Sequence, residues 1–120
     1  MYKLPNQHHS DMNDCDYTTL HVSQRGYVVQ CRNCGGYQMA FGNVQLHICT
    51  EEFIALKDYV AIKYRNVASS TERDKRDNYI CTDSQRVVMV LSIDELGQYN
   101  ELLQQAWLKQ TMNEAIKNMN

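Results

Sequence analysis

The sequence predicts an α+β domain: an antiparallel sheet built from hairpins, two helices packed on one face, and a knuckle-like C-x-x-C turn between the first two hairpins. Three observations lead there. Alternating apolar and polar runs flank short glycine turns, as in antiparallel strands with one buried face. Two segments carry apolar residues at helical spacing behind capping residues. Between the hairpins stands Cys31-Arg32-Asn33-Cys34-Gly35-Gly36.

The elements follow in chain order. Residues 1–16 are polar and aperiodic and read as an arm, followed by a single domain over 17–113 and a frayed tail over 114–120. Tyr17 to Gln24 and Tyr27 to Cys31 flank Arg25-Gly26, a hairpin pattern. A two-residue loop there pairs Gln24 with Tyr27, Val22 with Val29 and Leu20 with Cys31, and places Leu20, Val22 and Val29 on one face. The second hairpin is cleaner. Gly42-Asn43 joins Tyr37–Phe41 to Val44–Ile48, pairing Phe41 with Val44, Met39 with Leu46 and Tyr37 with Ile48 on one face. Gln38, Ala40, Gln45 and His47 fall on the other.

Thr50-Glu51-Glu52 caps a helix carrying Phe53, Leu56, Val60 and Tyr64 at helical spacing, with acids in the first turn where the helix dipole favours them. The stretch Arg65 to Asp77 interleaves charges of both signs and reads as a solvated loop. Tyr79–Cys81 and Val87–Leu91 are strands, and the nearly all-apolar second run predicts cover on both faces. Ser92 and Glu95 form a capping box for a last helix through Leu96, Tyr99, Leu102, Leu103, Ala106 and Trp107, fraying after Thr111. A faint similarity between Leu46–Phe53 and Met89–Leu96 needs no duplication, because any strand entering a capped helix has this form.

Composition excludes several function classes. The chain has 120 residues, 43% hydrophobic and 22% charged, which is globular composition and enough chain for one core. Twelve basic against 14 acidic residues give a net charge of −2, no footprint for nucleic acid. No apolar run has the length of a membrane span. The start, Met1 to Asn6, has no apolar core of a secretory signal, so a cytoplasmic location is expected. Five cysteines are an odd number, and outside an oxidising compartment they read better as metal ligands or thiols than as a disulfide framework.

The C-x-x-C-G turn is the one constellation with chemistry in it. Two thiolates at this spacing converge on one tetrahedral metal while backbone N–H groups point back at the sulfurs. The following glycine lets the chain turn behind the second sulfur. Redox C-x-x-C pairs of the thioredoxin kind sit at a helix N-terminus, whereas here strand sequence follows. The expectation is a zinc site on Cys31 and Cys34. Cys15, where the arm leaves the sheet, and Cys49, beside Gly36 in the hairpin register, are candidates to complete it. His8 and His9 could reach in from the arm, and His21 faces Gln30 in the expected register. The competing reading makes these cysteines small buried residues. Cys81 has no partner in view and reads as core. His47 with Gln38 and Gln45 could line a surface, though a lone strand histidine is more often simply solvated.

The stretch GYVVQCRNCGGYQMAFGNVQLHICTEEFIAL resembles a family of small uncharacterised proteins, domains of unknown function, from Bacteroidetes. The resemblance rests on the C-x-x-C knuckle, the Phe41-Gly42-Asn43 turn and the capped helix near Phe53, and extends over about residues 20–106. It implies a bacterial, cytoplasmic, stand-alone domain and brings no activity or catalytic residues.

No Ser-His-Asp set, phosphate loop or H-E-x-x-H motif occurs, so the leaning is away from an enzyme. The expected function is a binding or regulatory domain with a zinc knuckle. The alternatives are a thiol-redox protein using Cys31 and Cys34, and a metal-free interaction domain using the face around Gln38, Gln45 and His47. A sheet face left free by the helices suits a homodimer or another protein partner.

Overall fold

A computed structural model describes residues 16–82 and 87–119. Four strands form an antiparallel meander in the order β1-β2-β3-β4: β1 (Tyr17–Val22), β2 (Gly26–Cys31), β3 (Tyr37–Phe41) and β4 (Val44–Ile48). Helix α1 (Thr50–Val67) follows, then β5 (Asn78–Cys81), β6 (Val88–Leu91) and helix α2 (Ile93–Asn118). The fold is the expected α+β arrangement, with one difference: β5 and β6 pair only with each other, as a separate two-stranded sheet.

The second hairpin has the predicted register at every pair, Phe41↔Val44, Met39↔Leu46 and Tyr37↔Ile48. The first does not. Its register is Val22↔Tyr27 and His21↔Val28, then Thr19↔Val29 and Tyr17↔Cys31 after an irregularity at Leu20. Two local causes account for this. Ser23 Oγ accepts the N–H groups of Arg25 and Gly26 at 3.3 and 3.2 Å, and Ser23 N–H donates to the Gly26 carbonyl at 2.8 Å. This side-chain-stabilised turn is longer than the two-residue loop. The extra residue at Leu20 is a bulge, which moves Leu20 to the face opposite Val22 and Val29. His21 therefore pairs with Val28, at the end of β1 away from the knuckle.

The helices cover one face. Val28, Tyr37, Met39 and Phe41 of the sheet meet Phe53 and Val60 of α1 and Leu96, Tyr99, Leu102, Leu103 and Ala106 of α2, and Ile80, Met89 and Leu91 close the same core. Tyr37 and Phe53 stack at 4.4 Å between centroids, and Phe41 meets Tyr99 at 4.7 Å. Ile80 is buried, so its strand neighbours Tyr79 and Cys81 point outward. Val88 and Val90 share that outward face and are 44% and 42% exposed. The cover expected on both faces of the Val87–Leu91 run is thus absent from one of them, and Cys81 is exposed rather than core. The reason is topological: a two-stranded sheet packed on one core has one outward face.

Both helix starts use an N3 glutamate. Glu95 N–H donates to Ser92 Oγ at 3.1 Å and Ser92 N–H to the Glu95 carboxylate at 2.9 Å, the expected capping box. At α1 the cap is Cys49, one residue before the expected Thr50, and its N–H donates to the Glu52 carboxylate at 2.8 Å. The charged loop is tied down more firmly than solvated-loop sequence implies. Arg76 makes two bonds to the Glu95 carboxylate at 3.0 and 2.7 Å, and Arg73 bonds Asp94 at 2.8 Å and the Ala68 carbonyl at 2.7 Å. Helix α2 continues past Thr111 to Asn118, through most of the segment expected to fray.

Candidate metal centre

The knuckle is a closed turn. Gly35 N–H donates to the Cys31 carbonyl at 2.9 Å, and Cys31 N–H donates to the Gly36 carbonyl at 2.8 Å. Gly35 has φ +78°, a conformation that an L side chain strains to adopt, so the glycine after Cys34 is required by the turn itself. Gly36 places the Cys34 sulfur relative to β4. A Cβ built there would lie 3.5 Å from Cys34 Sγ and 3.6 Å from the Ile48 carbonyl. The second knuckle sulfur therefore lies beside the end of β4, one residue before Cys49.

The end of the sheet gathers the predicted residues. Cys31, Cys34 and Cys49 line one shallow cavity of about 330 Å³, together with His47 and Glu52. Cys31 is buried, while Cys34, Cys49 and Cys81 are exposed. Cys15, His8 and His9 lie outside the described residues. The first described residue is nonetheless fixed at the knuckle: Arg32 N–H donates to the Asp16 carbonyl at 2.8 Å, and Arg32 Nε donates to Thr18 at 2.6 Å. Asp16, the last residue of the arm, thus lies beside the knuckle. His21 is not brought to this end, because the bulge and the longer turn reset its register.

His47 lines the cavity together with Gln38, its cross-strand partner, while Gln45 lies further along β4 outside it. Both glutamine amides are engaged within the chain. Gln38 and Gln45 donate to the Tyr27 hydroxyl at 3.1 and 2.8 Å. Tyr27 pairs with Ala40, and Ala40 with Gln45, so the small alanine leaves space for the ring between the two amides. Tyr27, Val29 and Ala40 form a second small cluster on this face. The face away from the helices is therefore partly filled by the chain itself, a packing that alternation alone does not reveal.

Electrostatics act on the Cys49 thiol. At Cys49 the Glu52 backbone N–H favours the thiolate, but the Glu52 and Glu51 carboxylates that accept from the thiol, together with partial desolvation, outweigh it, and the thiol pKa is raised. A helix N-terminus usually activates cysteine; here the two first-turn acids cancel that effect. Among the described residues, no three histidine, cysteine, aspartate or glutamate side chains lie close enough together to share a metal ion as arranged. The knuckle thus offers two cysteines, with Cys49 across the cavity.

No helix of the described residues is long and apolar enough to cross a membrane. Neither a curated protein nor a solved structure matches the chain. The comparison with family profiles does give a match, over residues 12–120, and it takes in the knuckle, both helices and every strand: the chain belongs to the family of unknown function DUF6686.

Proposed function

We propose that the chain is a small non-enzymatic binding or regulatory module whose Cys31–Cys34 knuckle holds zinc, with Cys15 and Cys49 as the further thiolate ligands. The observation that carries this reading is the approach of Cys31, Cys34 and Cys49 to one cavity from two separate segments. A closed zinc site takes four ligands in a tetrahedron. Cys34 and Cys49 are exposed, so a rotamer change can turn each sulfur towards the knuckle axis. Arg32 holds Asp16, and so the end of the arm, at the same place. His47 is the imidazole substitute for Cys15 should the arm not contribute. Zinc bound here would be structural: it would cross-link the entry to β1, the knuckle and the β4–α1 junction. A thiolate zinc site suits a reducing, cytoplasmic compartment.

The redox alternative finds less support. The second knuckle cysteine leads into a strand, not into the helix start that lowers the thiol pKa in redox C-x-x-C pairs. Apart from the face around Gln38, Gln45 and His47, a binding role has a second surface in Leu108, Met112 and Ile116, exposed apolar residues that recur every fourth residue along the far part of α2. Metal analysis of anaerobically purified full-length protein tests the proposal. The expected result is about one zinc per chain, lost in Cys34→Ser and retained in Cys81→Ser. A zinc content well below that, unchanged by Cys34→Ser, overturns it.

A further inference from the structure

A second site lies on the other side of the Cys49–Glu52 cap. A groove of about 430 Å³ runs between β4 and α1, with Leu46, Ile48, Ala55 and Leu56 as its apolar lining and Glu51 and Glu52 at its rim. Cys81 and Thr82, at the end of β5, form its far wall. The groove borders an open sheet edge. Strand β4 is outermost in its sheet. Because Phe41 and Val44 close a two-residue turn, Val44, Leu46 and Ile48 exchange their backbone bonds with β3. Gln45 and His47 then direct their N–H and C=O groups away from β3, and no described strand pairs with them.

We propose that this groove binds an extended peptide that adds a strand to the outer edge of β4, sets alternate apolar side chains against Leu46, Ile48 and Leu56, and places a basic residue at Glu51 and Glu52. Three features select this occupant. The open edge supplies ladder donors and acceptors that only an extended backbone satisfies in series. The period of two along a strand matches Leu46 and Ile48, which share the helix-side face. The rim charge is negative: Glu51 and Glu52 both stand in the first turn of α1, at the mouth of the groove. An acidic or neutral partner has nothing to answer that charge. The site shares Ile48 and Glu52 with the cysteine cavity but needs no metal.

The test is an NMR titration of the isotope-labelled full chain with the capped heptapeptide Lys-Thr-Leu-Thr-Leu-Thr-Lys. Its two leucines and flanking lysines project to one side in either strand direction. The expected result is saturable shifts at the Gln45 and His47 amides and the Leu46, Ile48 and Leu56 methyls. The counterpart with glutamate in place of lysine should bind at least about tenfold more weakly, and a peptide N-methylated through its five central residues should not saturate. Ala55→Lys, a change at an exposed groove position, should weaken binding about tenfold with an unaltered thermal midpoint. No saturable shift up to millimolar peptide, shifts centred on another surface, or equal binding of the acidic or N-methylated peptide overturns the proposal.

Discussion

Glu95 carries the strongest charge interaction among the described residues, and its removal should be felt as a pH-dependent loss of stability. Its carboxylate accepts two bonds from Arg76, lies 3.5 Å from Arg25 and closes the α2 capping box through Ser92 N–H. The side chain is only 12% exposed. The Arg76 guanidinium, ahead of the opposing desolvation and assisted by Ser92 N–H, takes the pKa from 4.5 down to about 2. At about 1.4 kcal/mol per pH unit the ceiling on the contribution is about 3 kcal/mol. Arg76 is 66% exposed, so solvent screening brings the expected figure to about 2 kcal/mol. The folded-state pKa is depressed, so this stability is fully present above pH 4.5 and is lost as the pH falls towards 2. Glu95→Gln keeps an acceptor for the cap and removes the charge. Urea unfolding followed by Trp107 fluorescence should show wild type ahead of Glu95→Gln by about 2 kcal/mol at pH 7, the gap narrowing from pH 4.5 to pH 3. A gap that is independent of pH, or below about 0.5 kcal/mol at pH 7, refutes the reasoning.

Three further outcomes are expected. Phe53 is fully buried between Tyr37 and Trp107, so Phe53→Ala should lose about 3 to 5 kcal/mol and lower Tm by about 12 to 20 °C in calorimetry. Tyr27→Phe removes the hydroxyl that accepts from Gln38 and Gln45, leaving the buried Gln38 amide short of a partner. Chemical unfolding should record a loss of about 1 to 3 kcal/mol, and no loss would mean that the amides pair elsewhere at no cost. A Cβ at Gly26 would collide with the Ala40 carbonyl, which is backbone and cannot swing aside. Gly26→Ala should therefore separate β2 from β3, lose about 1 to 3 kcal/mol, and speed amide exchange along that ladder.

The sequence was most readable where local chemistry and tertiary packing agree. Gly42-Asn43 with strict alternation on both sides determined β3–β4 pair by pair. Ser92 and Glu95 announced α2 through groups that bond each other. The first hairpin was less readable because Ser23 builds its own turn and Leu20 is inserted as a bulge, and neither leaves a mark in hydrophobic periodicity. The separation of β5–β6 was not readable at all, since strand pattern does not say which strands share a sheet. The exposure of Cys81 did have a signal: Ile80 and Cys81 are neighbours in a strand and must face opposite ways. At the cavity, the C-x-x-C-G turn and the nearness of Cys49 could be read from register, whereas the occupation of Gln38 and Gln45 by Tyr27 depends on a third strand.

The claim on which the account turns is that the knuckle holds zinc through sulfur. X-ray absorption at the zinc edge, on full-length protein purified without added metal, reads the ligand shell directly. A thiolate knuckle predicts a shell of about three to four sulfurs at about 2.3 Å, with at most one nitrogen near 2.0 Å, and loss of sulfur scattering in Cys34→Ser. A shell of oxygen and nitrogen alone, or zinc scattering unchanged in Cys34→Ser, would contradict it.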